Sequence, residues 1–251
     1  MFESYRRELA GARFGILGSG PTLNDFENDI GELCDVVIAC NGSVMALNPD
    51  STNLDFFLYG DVASPTRSWF RESAKFQNKR GEVVVRILPN QLLPYDDLVL
   101  DSIEQRTLLE YELRSFLDYH QDDTKAYRKF IPAGHIVLKN GISFNYDGST
   151  INEIDIDNFI FGRGTITGTG AQIATRMGAS HINLFGCGFN NTASSGVYAY
   201  DNKGEPGGTN DDHTLCMDEI LRQIQAKGIG VTSYGETKLT VESVSYHSNT
   251  I

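Results

Sequence analysis

Short apolar runs alternate with polar stretches along the first third of the chain. Each run is rich in Val, Ile, Leu or Phe and almost continuously apolar, which is the pattern of a strand buried on both faces of a parallel sheet. The pattern predicts strands at Arg13–Leu17, Asp35–Cys40, Asp55–Tyr59 and Glu82–Leu88. Segments between the strands are long enough for helices, and we expect one within Arg67–Phe76. Alternating strands and helices predict an α/β fold, a single Rossmann-like domain over residues 1–251 with a mainly parallel central sheet flanked by helices.

The middle of the chain has a different pattern. Leucine and phenylalanine recur at helical spacing between residues 108 and 117, which predicts a helix over Ile103–Tyr119. Beyond it, His135–Leu138 and Ile142–Tyr146 are typical of strands with intervening turns. In Glu153–Asp157 acidic residues alternate with isoleucine, which predicts a half-buried strand with one solvated acidic face.

A glycine-rich turn follows the first predicted strand. Its residues are Gly18, Ser19, Gly20, Pro21 and Thr22, and polar residues typical of a helix start come directly after it. Small residues let a backbone approach a phosphate closely, and the amides of a helix N-terminus favour negative charge. The turn therefore predicts a phosphate or nucleotide site, although glycines in such a position can also serve only a tight turn.

Two positions exclude the dinucleotide version of that site. Leu23 stands where the third glycine of the dinucleotide fingerprint belongs, and the second strand ends in Asn41 rather than in an acidic ribose ligand. An amide at Asn41 can still bind a ribose or a base. We therefore expect a nucleotide site of another kind.

A second loop rich in glycine and threonine spans residues 162–170. It contains Thr167, Gly168 and Thr169 and leads into a predicted helix, Ala171–Met177. A strand, His181–Phe185, follows and ends at Gly186. Because ligands of open α/β sheets bind at the carboxyl ends of strands, the two loops are expected to contact a nucleotide from both sides.

A stretch with almost no periodicity, about residues 188–212, predicts a lid segment. His213 follows it at the start of a predicted helix, with Asp212 as the N-cap candidate. The helix dipole favours the neutral imidazole that a general base needs, whereas the neighbouring Asp211 and Asp212 act in the opposite direction. By itself, the position is more typical of an exposed histidine without a catalytic role.

Composition limits the classes of partner. The formal net charge is −12 and no cluster of Lys and Arg is present, which argues against nucleic acid as a partner.

The sequence has no secretory signal or long apolar stretch, so we expect a cytoplasmic protein without a transmembrane segment. The polar segment Lys238–Ile251 is a candidate for a last strand or for a contact in a homo-oligomer. Four cysteines without a Cys-x-x-Cys pair predict reduced thiols in the core or near the site, rather than disulfides or a zinc site: Cys34, Cys40, Cys187 and Cys216.

Taken in order, these motifs resemble those of the small bacterial sialyltransferases that use CMP-sialic acid, and of related bacterial surface-glycan transferases. Gly18–Leu23 matches the Gly-x-Gly-Pro-Ser-Leu turn of that family, and Cys40-Asn41 matches the Cys-Asn that ends its second strand. The loop, helix and strand of Thr167–Gly186 match as well. The lid segment Tyr198–Asp201 and His213 complete the correspondence.

The resemblance implies an inverting, metal-independent transfer that needs no cofactor besides its CMP-sugar donor and a glycan acceptor. His213 would be the general base, and Tyr198 would donate a hydrogen bond to the departing phosphate. The nucleotide and donor sugar would contact the Gly18–Thr22 turn, Asn41, Thr167, Gly168, Thr169 and Gly186. Asn190 stands where the family has a second phosphate-binding tyrosine, so the donor could be another CMP-linked acidic sugar.

Three alternatives remain open. Asp155 and Asp157 form an Asp-x-Asp pair of the kind that holds a divalent ion, although the strand pattern accounts for both residues. The opening Gly-x-Gly-Pro turn also resembles that of archaeal-type pterin pyrophosphokinases, which use magnesium and ATP. A nucleotide-binding protein without catalytic activity is the third alternative.

Overall fold

The computed structural model describes residues 2–59, 69, 72–76, 80–85, 107–111, 127–131, 136–138, 156, 165–189 and 211–245. In chain order the strands are β1 (Arg13–Leu17), β2 (Val36–Cys40), β3 (Phe56–Tyr59), β4 (Gly81–Val85), β5 (Thr107–Tyr111), β6 (Tyr127–Ile131), β7 (Ile136–Leu138), β8 (His181–Phe185), β9 (Gly230–Tyr234) and β10 (Glu242–Val244). The helices are α1 (Phe2–Leu9), α2 (Leu23–Phe26), α3 (Ile30–Leu33), α4 (Ile166–Arg176) and α5 (Asp211–Ala226), with 3₁₀ turns at Asn41–Ala46 and Ser73–Lys75.

Eight of the described strands form one sheet in the order β10-β9-β8-β1-β2-β3-β4-β7, and every pairing in it is parallel. After β1 the chain proceeds outward through β2, β3 and β4 to β7, then returns to place β8 on the other side of β1. The strand order therefore reverses between β1 and β8. In open α/β sheets ligands bind outside the carboxyl ends of the strands at such a switch point.

Helices cover both faces of the sheet. In β1, Phe14 and Ile16 lie in the same core cluster as the buried side chains of α4 and α5, whereas Leu17 lies in the opposite cluster with those of α2 and α3. Since successive side chains of a strand point to opposite faces, both faces of each central strand must be apolar. This explains the nearly continuous apolar runs and confirms the predicted α/β fold with a parallel sheet flanked by helices.

Most of the predicted strands are confirmed. Arg13–Leu17 and His181–Phe185 have the predicted bounds, and the other predicted strands before residue 90 differ by a residue or more at their ends. Ile136–Leu138 is a strand as expected, and Glu242–Val244 in the C-terminal segment extends the sheet beside β9. Residues 142–146 lie outside the described residues. Of residues 153–157 the structure describes Ile156, which is buried.

The prediction of a helix over Ile103–Tyr119 is wrong for Thr107–Tyr111, the part of this range that the structure describes. Thr107–Tyr111 is a strand, β5, and pairs antiparallel with β6 in a separate two-stranded sheet. Leu108 stands opposite Phe130 in this register. Pairing with a distant strand satisfies the backbone of β5, and this outweighs the helical spacing of its leucines.

Two predicted helix starts also need correction. α4 begins at Ile166 rather than at Ala171, because the Thr165 hydroxyl accepts a hydrogen bond from the Thr167 amide at 3.0 Å and caps the helix there. α5 begins at Asp211, so Asp212 lies inside the helix and is not its N-cap. Within Arg67–Phe76, the described residues include helical Trp69 and the 3₁₀ turn Ser73–Lys75.

All four cysteines are buried and free, as predicted. In the part of the chain that the structure describes, no helix combines the length and the apolar character needed to span a membrane.

Candidate functional site

The glycine-rich turn after β1 contacts the loop after β8 through its backbone. The amide of Gly18 donates to the carbonyl of Phe185 at 2.7 Å, and the amide of Gly20 donates to the carbonyl of Gly186 at 2.8 Å. These bonds extend the pairing of β1 with β8 beyond the ends of both strands. The two glycine amides are therefore engaged within the protein and are not free to bind a phosphate.

Close approach of the two backbones explains why glycines stand here. A Cβ atom on Gly18 would lie 2.6 Å from the Gly186 carbonyl oxygen, and a Cβ atom on Gly20 would lie 2.5 Å from it. Gly186 itself has φ +63°, and a Cβ atom there would collide with the Gly18 carbonyl. Because the colliding atoms belong to backbone, no side-chain movement relieves the clash. The three predicted glycines thus form one structural unit at the switch point.

Two buried side-chain oxygens at this edge of the sheet have no hydrogen-bond partner among the described residues. They are Oγ1 of Thr22, at the end of the turn after β1, and Oδ1 of Asn41, directly after β2. Thr22 stands at the N-cap position of α2 but makes no side-chain capping bond. A buried polar group without a partner costs about 1–3 kcal/mol. These two atoms, at the carboxyl ends of neighbouring strands, are therefore candidates for binding a polar ligand.

Asn41 also has a strained backbone. Its φ is +48°, in the left-handed region that non-glycine residues rarely adopt, although asparagine tolerates it better than most. The adjoining strand end is held by Ser43, whose hydroxyl, fully buried, accepts a hydrogen bond from the Cys40 amide at 2.9 Å. Left-handed backbone conformations like that of Asn41 cost of order 1–3 kcal/mol in residues other than glycine, and they cluster at ligand-binding sites.

The N-terminus of α4 lies at the same edge of the sheet. The Cys40 thiol is 3.9 Å from the carbonyl oxygen of Ile166, the first residue of α4.

The buried thiols near this edge keep their protons. Burial raises the pKa of the Cys187 thiol to about 12, against smaller opposite effects of hydrogen bonds with the Gly18 backbone and the Thr167 side chain. Burial likewise raises the pKa of Cys40 well above its ordinary value. Both thiols are therefore uncharged near neutral pH, and neither opposes the binding of an anion.

The predicted ligand residues of α4 are buried in helix packing. Thr167 is 5% exposed and Thr169 is fully buried. A Cβ atom on Gly168 would lie 3.1 Å from the Met217 sulfur of α5. The absence of a side chain at Gly168 therefore lets α5 pack closely against α4. Direct contact of Thr167, Gly168 or Thr169 with a nucleotide stays a prediction.

His213 is half-buried in the first turn of α5. Met217 lies one turn further along and contacts the Gly168 position of α4, and residues four apart share a helix face. Since α5 connects the parallel strands β8 and β9, it begins at the carboxyl edge of the sheet. The fold therefore places His213 on the α4-facing side of α5, at the same edge as Thr22 and Asn41.

Tyr198 and Asn190 lie outside the described residues, as does the lid segment apart from its ends. Asp155 and Asp157 also lie outside them. Conversely, sequence reasoning missed Gly235, which follows β9 and packs against Thr22. The available signal was a glycine directly after a short strand, the same arrangement as Gly18 after β1 and Gly186 after β8.

No family model matches the chain, and no curated protein matches it. Solved structures do. The sialyltransferase CstII from Campylobacter jejuni, in complex with the substrate analogue cytidine-5'-monophosphate, matches over 96% of this chain and 89% of its own, at 15% identity and a TM-score of 0.52. The fold is similar to that of a sialyltransferase.

Two further matches are weaker. The MAf glycosyltransferase from Magnetospirillum magneticum AMB-1 is 15% identical over 98% of this chain and 38% of its own, with a TM-score of 0.47. An apo alpha-2,3-sialyltransferase from Campylobacter jejuni is 13% identical over 96% of this chain and 87% of its own, with a TM-score of 0.43. At such scores neither match adds an argument.

Proposed function

We propose that this protein is a glycosyltransferase that moves sialic acid or a related acidic sugar from a CMP-linked donor to a glycan hydroxyl. The observation that carries the proposal is the pair of buried oxygens without described partners, Thr22 Oγ1 and Asn41 Oδ1, at the sheet edge where the strand order reverses. The similarity of the fold to that of a sialyltransferase studied with a cytidine nucleotide supports the choice of ligand.

The two oxygens have complementary uses toward a nucleotide. A threonine hydroxyl can donate to a phosphate oxygen, and an asparagine Oδ1 can accept from a ribose hydroxyl or the cytosine amino group. The N-terminus of α4 at the same edge adds a favourable potential for the phosphate. With Gly18 and Gly20 engaged by the β8 loop, the turn contributes mainly by positioning Thr22.

The proposed chemistry is an inverting displacement. His213 takes the proton of the acceptor hydroxyl as that oxygen forms its bond to the anomeric carbon of the donor sugar. The bond from the anomeric carbon to the phosphate oxygen breaks, and CMP leaves with the electron pair. Tyr198 donates a hydrogen bond to that phosphate, where negative charge grows in the transition state. The scheme requires no metal ion.

The nucleotide part of the proposal is tested by thermal shift with CMP, CDP, UDP, NAD, and ATP with magnesium. We expect selective stabilisation by CMP or CDP, and its loss in Thr22→Val, which removes the hydroxyl at nearly constant shape. Thr52→Val, at a half-buried threonine before β3, is the matched control. Stabilisation by ATP with magnesium instead would favour a pyrophosphokinase, and no response to any nucleotide would contradict the proposal.

The catalytic part is tested by CMP release from CMP-sialic acid in the presence of glycan acceptors. His213→Ala should abolish turnover while its Kd for CMP stays within about twofold, because the base contacts the acceptor and not the nucleotide. Leu215→Ala, an exposed position in the same turn of α5, controls for damage to the helix. Unchanged turnover in His213→Ala would remove the histidine from the mechanism.

A further inference from the structure

A segment after β9, Gly235–Thr240, contacts the loop after β8, the helix α5 and Thr22; it is called the post-β9 segment below. The amide of Lys238 donates to the Gly188 carbonyl at 2.9 Å, next to the loop after β8. The amide of Thr240 donates to Asp218 of α5 at 2.7 Å. The post-β9 segment thus joins the β8 loop to the helix that carries His213.

The first residue of this segment lies directly against Thr22. A Cβ atom on Gly235 would lie 2.6 Å from Thr22 Cβ, 2.9 Å from its Cγ2 and 3.1 Å from its Oγ1. The amide of Gly235 donates to the Val244 carbonyl of β10 at 2.8 Å, which fixes the backbone at this point. The Cα of Gly235 is therefore a rigid surface against one side of the Thr22 side chain.

Contact on one side of a threonine selects its rotamer. Thr22 carries two heavy atoms on Cβ, and each staggered χ1 angle directs the hydroxyl differently. Thr22 Oγ1 has no described hydrogen-bond partner that could select the angle. Packing has to fix the direction of this hydroxyl in the absence of ligand.

We propose that Gly235 is a positioning residue for nucleotide binding, because its bare Cα holds the Thr22 hydroxyl in the direction that a bound phosphate requires. This inference rests on the proposed function, in which Thr22 binds the CMP moiety. It assigns to β9 and the post-β9 segment a role in a site otherwise built from β1, β2, β8 and the starts of α4 and α5.

The chain offers a closely matched control. Gly235 has φ +97°, so an alanine there is strained as well as crowded; Gly228, in the turn before β9, has φ +81° and nothing within 4 Å of its Cβ position. The two alanine variants should lose similar stability from backbone strain, and only Gly235→Ala should displace Thr22. We expect Gly228→Ala to bind CMP within about twofold of the unmodified protein, and Gly235→Ala to bind at least about tenfold more weakly by calorimetry.

A second comparison separates positioning from general damage. In Thr22→Gly the clashing atoms are absent, so adding Gly235→Ala should change the Kd for CMP by less than about twofold. Equal weakening by Gly235→Ala and Gly228→Ala, or the same tenfold effect without Thr22, would overturn the inference. If the unmodified protein itself does not bind CMP, the proposed function fails instead.

A ligand-free measurement decides the inference even if Gly235→Ala does not fold or CMP does not bind. Three-bond NMR couplings report the χ1 angle of Thr22 in the unmodified protein, and we expect a single rotamer. The same single rotamer is expected in Gly228→Ala. Averaging over several rotamers in the unmodified protein would show that Gly235 does not position the hydroxyl.

Discussion

Gly20 and Gly186 meet across the carboxyl ends of β1 and β8, with the Gly20 amide 2.8 Å from the Gly186 carbonyl oxygen. A Cβ atom on Gly20 would lie 2.5 Å from that same oxygen. The contact joins the two loops that flank the switch point of the sheet. The turn predicted to bind a phosphate is therefore a structural junction between the ends of β1 and β8, and Thr22 at its end carries a buried oxygen without a described partner.

Gly20→Ala should therefore destabilise the protein by at least about 2 kcal/mol, because the clash is with backbone. Gly31→Ala is the control, since Gly31 lies in α3 with nothing within 4 Å of its Cβ position. Alanine there should stabilise by about 0.5–1 kcal/mol through helix propensity. Urea unfolding measures both, and equal effects would contradict the proposed junction.

Asn41→Gly should raise stability and weaken binding together. Glycine adopts φ +48° without strain and removes the buried Oδ1 that has no described partner, so we expect a gain of about 0.5–1 kcal/mol. The Kd for CMP should rise at least about tenfold through the lost hydrogen bond. Asn53→Gly, at an exposed asparagine, should leave the Kd unchanged. Asn41→Gly that binds CMP normally would exclude Asn41 from the site.

Stability should fall as the pH rises from about 8.5 towards 11. Burial raises the pKa of Cys34 to about 11, and a weaker hydrogen bond with Asn183 acts in the opposite direction, whereas an unfolded cysteine titrates near 8.5. Between these values the folded thiol keeps a proton that the unfolded chain loses, so the free energy of unfolding decreases with pH. Urea titrations across this range should show a smaller decrease in Cys34→Ala, and an unchanged pH dependence would contradict the assignment.

Asp55→Ala should be destabilising. Asp55 is 3% exposed, and its carboxylate accepts from the Val37 amide at 2.9 Å and from Nε of Arg80 at 2.7 Å. Removing the carboxylate leaves the buried Val37 amide without this partner, whereas the exposed Arg80 side chain keeps Glu8, so we expect a loss of about 1–3 kcal/mol. Asp50→Ala, at an exposed position before β3, should change the thermal midpoint little. Similar midpoints for the two variants would show that the buried carboxylate contributes little.

The sequence alone determined the layers of the fold and the edge at which the candidate site lies. The buried positions of Arg13–Leu17 and His181–Phe185 are mostly apolar because both faces of the sheet are covered, and such a run can be recognised without any knowledge of its neighbours. The turn at Gly18–Thr22 and the asparagine after β2 could also be recognised from the sequence, because a strand, a turn and a helix start are each patterns of neighbouring residues.

Tertiary structure decided everything that depends on a distant partner. Thr107–Tyr111 is a strand because Tyr127–Ile131 pairs with it, although its own spacing favours a helix. Gly18 and Gly20 direct their amides to Phe185 and Gly186 rather than to a ligand, and Gly235 reaches Thr22 only through the order of the strands. Side-chain periodicity indicates which face of an element is buried, but it does not indicate which distant segment of the chain packs against that face. That choice is made by packing and hydrogen bonding between residues far apart in the chain.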